Sequence, residues 1–347
     1  MDTLGLLKKL HDKLTLDEMI ELIRNKKTNW TPTKKPRRKA DVKNDFLALT
    51  DVIKDEELKG LVEMAVLKKQ IGLPAYTYTI DNVSAIENLK EYDEYPINSI
   101  FCISFKIIEN NQSNFRAIVF VKEYEDQWRT GTQDLISMTA VYKSEVQVDK
   151  LNRKVSIYVG NQIINEVIRQ FMIQVQELKI SYPRIPNKIV SMGPASYKTI
   201  LLIDYIYNRL LRNGISSQVI DIKFKTGEST GKQDGLTQVT LHGDRNILSS
   251  DLSCQYITLG CDIVMLKIDM SYKNSDFSVI LHLIGESHDT VKLVITGNED
   301  VVIKKSIMNI LQEEYISMCN NGVFDEGNTK NVLDKIYDTF LSKDKVI

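Results

Sequence analysis

The chain has 347 residues, of which 43% are hydrophobic and 26% charged, with 45 Lys and Arg against 46 Asp and Glu for a net charge of −1. That apolar fraction supports a substantial core and excludes a disordered chain, and the length suits about two domains. Near-neutral charge excludes a globally basic nucleic-acid coat, so any contact with phosphate must come from a local patch.

The first 27 residues read as two short helices. Thr15 followed by Glu18 makes a capping box, in which hydroxyl and carboxylate satisfy orphan backbone donors of the first turn, and Leu16, Met19, Ile20 and Ile23 form a helical stripe behind it. From Arg24 to Lys43 the pattern gives way to nine basic residues, one acidic residue and Trp30, with Pro32 and Pro36 removing backbone donors. This segment is expected to run as an extended basic arm. Lys34, Lys35, Arg37, Arg38 and Lys39, with Trp30 beside them, suit either phosphates or an acidic protein surface.

After residue 44 the same unit is read twice. In the first copy a helix with Leu58, Leu61, Val62 and Ala65 at i, i+3, i+4, i+7 spacing stops at Gly72, and alternating strands at 103–107 and 117–121 flank the polar turn Glu109 to Asn114. A strand ending in Gly160-Asn161 then enters another helix. The second copy repeats this order with an apolar helix from Tyr197 to Leu211, a hairpin within Asp262 to Gly285, and Gly297-Asn298 before its last helix. The helix from Tyr197, apolar nearly all round, is expected to lie buried between the copies. Two insertions have no counterpart, Glu123 to Gln133 with Trp128 and the loop Gly227 to Gly235, and both are expected at the surface as contact sites. Asn331 to Ser342 carries Val332, Leu333, Ile336, Tyr337, Phe340 and Leu341 on one broad face, which predicts a terminal helix packed on its own chain. The expected class is α+β, divided into short helices with the arm (1–44), a first unit (45–182), a second unit (183–322) and a terminal helix (323–347).

Motifs for chemistry fail on context. Lys188 to Tyr207 offers a strand, Gly193 and Lys198-Thr199 opening a helix, yet the loop is one residue short for a phosphate loop and Tyr197 stands where glycine lets the backbone wrap a phosphate. Asp221-Ile-Lys223 has the form of half a metal-dependent nuclease centre, but no acidic residue stands on a preceding strand, so an exposed strand face is the simpler reading. His11, His242, His282 and His288 have no close spacing with one another or with Cys254 and Cys261, and His282, set in an apolar strand, reads as a core histidine. Cys102, Cys254, Cys261 and Cys319 read as reduced thiols without disulfides. No catalytic residue, cofactor or metal site is expected.

The leading expectation is a non-enzymatic structural or assembly component with protein partners in a larger, oligomeric complex. Its Lys-, Ile- and Asn-rich composition fits an AT-rich coding genome and hence a phage or mobile-element protein. Nucleic-acid binding through residues 34–39 is the alternative, with a nuclease using Asp221 and Lys223 behind it. No apolar run reaches the roughly 18 residues of a membrane span, and the charged N-terminus does not read as a signal peptide. A place in the cytoplasm or packaged in a virion follows as an expectation.

Overall fold

The computed structural model describes residues 2–32, 34–125, 133–188, 192–226 and 237–341. Its centre is one thirteen-stranded sheet. The strands are β1 (Leu67–Lys68), β2 (Leu73–Ile80), β3 (Tyr92–Pro96), β4 (Phe101–Asn110), β5 (Asn114–Tyr124), β6 (Met138–Asp149), β7 (Lys154–Tyr158), β8 (Ile180–Ser181), β9 (Ser216–Lys225), β10 (Gln238–His242), β11 (Asp262–Tyr272), β12 (Ser275–Ile284) and β13 (Thr290–Thr296). They run in the order β10-β9-β11-β12-β13-β2-β7-β6-β5-β4-β3, with β8 beside β2 and β1 beside β6. Among the described residues only the β1–β6 pairing is parallel.

Local chemistry sets these strands. Phe115, Ala117, Val119 and Val121 alternate into one face of β5, as a pleated strand requires. Lys273 and Asn274 both take positive φ, 47° and 65°, giving the two-residue turn whose twist matches the β11–β12 hairpin. Asn111 closes the β4–β5 turn by accepting from the N–H groups of Ser113 and Asn114 at 2.9 and 2.7 Å.

The helices are α1 (Thr3–Lys13), α2 (Leu16–Lys26), α3 (Lys43–Leu47), α4 (Asp55–Ala65), α5 (Gln162–Gln174), α6 (Tyr197–Asp204, continuing as a π turn over Tyr205–Leu210), α7 (Asp251–Thr258), α8 (Val301–Asn321) and α9 (Glu326–Leu341). The Thr15–Glu18 capping box at α2 forms as the sequence indicates. Leu6, Leu10, Met19, Ile23, Phe46, Leu58 and Val62 make one buried cluster from α1 to α4, so this helical core runs past residue 44. Lys9 fastens it to the sheet by donating to the carbonyls of Leu135, Ile136 and Met138.

Two corrections concern termination and register. The fourth helix stops at Ala65, and Gly72, at φ 68°, serves the entry to β2, where a Cβ would meet the Ile295 carbonyl oxygen at 2.5 Å. The hairpins matched by sequence stand at different distances from β2: β12 is second from β2 and β11 third on one side, while β6 precedes β5 and β4 on the other.

The sheet is covered unequally. At its centre, α5 shares a core with Tyr76, Tyr78, Val155 and Ile157 on one face. On the opposite face α8 receives Ser156 Oγ on Gln312 Oε1 at 2.8 Å and Lys154 Nζ on Glu313 at 2.9 Å. Farther out, α6, α7, α8 and α9 all pack on one face of β9 and β11–β13, through Phe224, Leu266, Leu281 and Leu293. The helix from Tyr197 is thus buried among the helices of this half, instead of lying between the two copies, and the terminal helix packs on its own chain through Leu333, Ile336 and Tyr337. No described helix is long and apolar enough to cross a membrane.

Candidate binding face and groove

With the helices of the C-terminal half gathered on one side, strand alternation presents a second set of residues on the other. Register aligns Thr240, Lys223, Met265, His282, Lys292 and Tyr76 in one row across β10, β9, β11, β12, β13 and β2. The adjacent row is His242, Asp221, Lys267, Ile280, Val294 and Pro74. Strands lie about 4.8 Å apart, so Lys223 and Lys292 stand roughly 14 Å from each other.

Charge on this face is weighted toward lysine. The Asp221 carboxylate pairs with His242, while Lys223, Lys225 and Lys267 make no ion pair within the described residues. His282 is exposed here, which corrects its reading as a core histidine: alternation places it opposite buried Leu281 and Leu283. Partial burial between strands, with Lys292, Lys223 and His288 nearby, holds its imidazole below the usual histidine range. Met265, Ile280 and Val294 are half-buried between these polar groups.

Where this face meets the start of α5, the surface dips into a groove of about 440 Å³. Pro74, Val159, Ile280 and Val294 give it apolar walls, and Lys68, Lys69, Lys143 and Lys292 are its charged lining. One rim is β1 and the residues after it. Gln70 Nε2 fixes that rim by donating to the carbonyls of Lys143 at 2.8 Å and Tyr158 at 3.3 Å. Lys292 donates to the Gly160 carbonyl, its ammonium 5.7 Å from the Tyr76 ring centroid, and burial holds its pKa below the usual lysine value.

The sequence-derived candidates fall elsewhere. Trp30 is half-buried against the N-terminal helical core, and Lys34, Lys35, Arg37 and Arg38 are exposed. Asp41 accepts from the N–H groups of Arg37 and Arg38 at 2.8 and 2.9 Å, and Lys39 Nζ donates to the carbonyl of Asp12, in the last turn of α1, at 3.2 Å. Trp128 and the loop Gly227 to Gly235 lie outside the described residues.

Gly193 is a packing glycine: at φ 85° it faces the Tyr337 ring, and Tyr337 Oη donates to the Met192 carbonyl at 2.8 Å while accepting from the Ala195 N–H at 3.3 Å. The Lys198 ammonium is held by Asp262 at 3.3 Å and the Ser287 carbonyl at 2.6 Å. Among the described residues no group of three or more His, Cys, Asp or Glu side chains could hold a metal ion. Cys102, Cys254 and Cys261 are buried thiols, and Cys319 is half-buried.

Sequence reasoning missed the groove, whose lysines are far apart in the chain. It also missed a buried polar network around Asp204, Asn208 and Arg209, although an acid, an amide and a guanidinium within the apolar stretch from Ile200 to Leu210 were a visible signal. Neither a protein-family model nor a curated protein matches this chain.

Proposed function

We propose that the chain is a non-catalytic binding component of a multi-subunit assembly, of the phage or mobile-element kind, acting in the cytoplasm or packaged in a virion. The single observation that carries this reading is the unequal covering of one continuous sheet. Four helices occupy one face of the C-terminal strands, and the other leaves Met265, Ile280 and Val294 half-buried among lysines. Apolar side chains at mid-sheet with a polar surround are the composition of a protein-docking surface.

The two halves are read as descendants of one duplicated unit. What supports this is the position of β7 with α5 and β13 with α8 on either side of β2, each strand leading through Gly-Asn into its helix. On this reading residues 45–182 and 183–322 are the two units, and the shared part is scaffold.

The test is the state of the chain isolated from the cells that encode it. It elutes in a complex larger than its own monomer, and Lys267→Glu combined with His282→Glu releases a folded monomer with an unchanged unfolding midpoint. A monomer in the native extract, or a complex indifferent to the double variant, would refute the reading.

A second reading, nucleic-acid binding by the basic segment, is favoured by the exposure of Lys34, Lys35, Arg37 and Arg38 without an ion pair among the described residues. Retention on DNA that falls steeply with salt and disappears when these four become alanine supports it; salt-independent retention counts against it.

A further inference from the structure

We propose that the groove between β1, β6, β13 and the start of α5 is a docking site for an extended acidic segment of a protein partner, with carboxylates on the lysine rim and an aliphatic side chain on the groove floor. Three observations converge on this occupant. First, charge: Lys68, Lys69, Lys143 and Lys292 all line the groove, and among the described residues no Asp or Glu side chain does. The site is therefore complementary to anions, and like-charged partners are repelled.

Second, the floor is aliphatic. Pro74, Val159, Ile280 and Val294 offer the shape and chemistry that take a Leu, Ile or Val side chain. A single nucleic-acid strand is ordinarily held by bases stacked on aromatic or guanidinium planes. Among the described residues the groove is lined by no arginine and by one aromatic, Tyr142, which is half-buried with Oη committed to Glu123 at 2.9 Å. Lysine ammoniums are point charges that accept a carboxylate in many orientations, which suits a peptide without the bidentate geometry phosphates draw from arginine.

Third, the site is concave and its rim is fixed. The two Gln70 bonds hold the strand-edge backbone, and Lys292 is seated on the Gly160 carbonyl at the opposite wall. A planar lipid surface cannot reach the floor of such a groove, whereas an extended peptide can. A preformed site of this kind loses little free energy to ordering on binding. Ile71, 86% exposed at the lip, extends the aliphatic surface for a second side chain of the segment.

This inference rests on the reading of the chain as a binding component and names the chemistry of one partner. The test uses the full chain and fluorescence anisotropy with a labelled hexapeptide of alternating glutamate and leucine, against the same peptide with glutamine for glutamate and against short oligothymidylate. Binding of the glutamate peptide is expected, weakened about tenfold or more in Lys68→Glu/Lys143→Glu, as repulsion replaces attraction at two sites. Both residues are exposed, so the variant is expected to fold, and an unchanged unfolding midpoint checks it.

Ile71→Ser tests the aliphatic part and should weaken the peptide severalfold. No binding of the glutamate peptide, equal binding of the glutamine peptide, or tighter binding of oligothymidylate lost in the same lysine variant would each overturn the proposal. Lys267→Glu/His282→Glu leaves Lys68, Lys69 and Lys143 in place. A native complex indifferent to that face variant therefore counts against the assembly reading alone, and absent peptide binding against the groove alone.

Discussion

The carboxylate of Asp204 and the guanidinium of Arg209 meet at 3.0 Å inside the helical layer, with side chains 0% and 1% exposed. They are five residues apart, a spacing that an α-helix turns to different sides and that the π turn over Tyr205–Leu210 brings together. Asp204 also accepts from Asn208, Thr329 and the N–H groups of Phe324 and Asp325, so one carboxylate caps the turn leading into α9. Arg209 reaches the Gly322 carbonyl at 2.7 Å and Ser317 at 3.0 Å, with Glu314 beyond.

Asp204→Ala leaves that guanidinium buried without its nearest counter-charge and uncaps α9. Breaking a buried pair from one side costs about 3–5 kcal/mol, far more than a surface pair. Urea unfolding should show a loss of this size, and hydrogen exchange should accelerate in residues 323–341 before the sheet. A double-mutant cycle with Arg209→Met should recover a large part of the cost; strict additivity would show that the two side chains act independently.

How much of this was legible depends on the range of the interaction. The α2 capping box and the β11–β12 hairpin depend on residues a few positions apart, and both were readable from Thr15, Glu18 and the alternation around Lys273. Helix α4 was overextended because Val66 to Ile71 has no breaker before Gly72; it ends at Ala65, and Leu67 and Lys68 instead pair with Val141 and Tyr142 of β6. His282 was misplaced because alternation gives two faces without saying which one the helices cover. The Asp204 network escaped because its spacing is not α-helical and Glu314 lies 105 residues from Arg209. The groove needs four separate pairings, β1 with β6, β6 with β7, β7 with β2 and β2 with β13, before its lysines become neighbours.

The Gly193 backbone is fitted to Tyr337 and not to a phosphate. A Cβ there would stand 2.4 Å from the tyrosine ring, and φ of 85° disfavours any side chain. Gly193→Ala should destabilise by about 1–3 kcal/mol, an overpacking cost with backbone strain added. Thermal unfolding measures it, and partial rescue by Tyr337→Leu is expected because the clash is with the ring. Full tolerance of the alanine would show that the loop moves freely away from α9.

Lys122 is the hinge of an ionic triad between the helical unit and the sheet, 2.8 Å from Glu63 and 2.6 Å from Glu94, with its side chain 6% exposed. Burial pushes the Glu94 carboxyl up, but the Lys122 and Lys59 ammoniums outweigh it and hold the pKa below the usual 4.5. A depressed folded-state pKa gives stability that is present above the unfolded value and lost as pH falls through the folded one. Stability should therefore decline below about pH 4.5 on this account, and the decline should flatten in Lys122→Met. Both glutamates keep access to water, so the variant should lose only about 1–2 kcal/mol at neutral pH, less than a fully buried pair. Urea midpoints across the acid range test both parts, and an unaltered acid profile in the variant would contradict the triad.

Asp41 is the residue that gives the basic segment its local shape. Its carboxylate accepts the N–H groups of Arg37 and Arg38, and these two bonds, in that order, hold its pKa below the usual carboxylate value. The group is fully exposed, so its loss should leave global unfolding unchanged. What should change is local: Asp41→Ala frees the backbone of Arg37 and Arg38, and trypsin should cut between Lys34 and Lys39 several times faster. The bonds are present above the unfolded carboxylate pKa and disappear as pH falls through the depressed one, so exchange of the Arg37 and Arg38 amides should accelerate in wild type below about pH 4 and be pH-insensitive, beyond the intrinsic rate, in the variant. Equal cleavage in both proteins would mean that Lys39, through its bond to the Asp12 carbonyl, is sufficient to hold the segment.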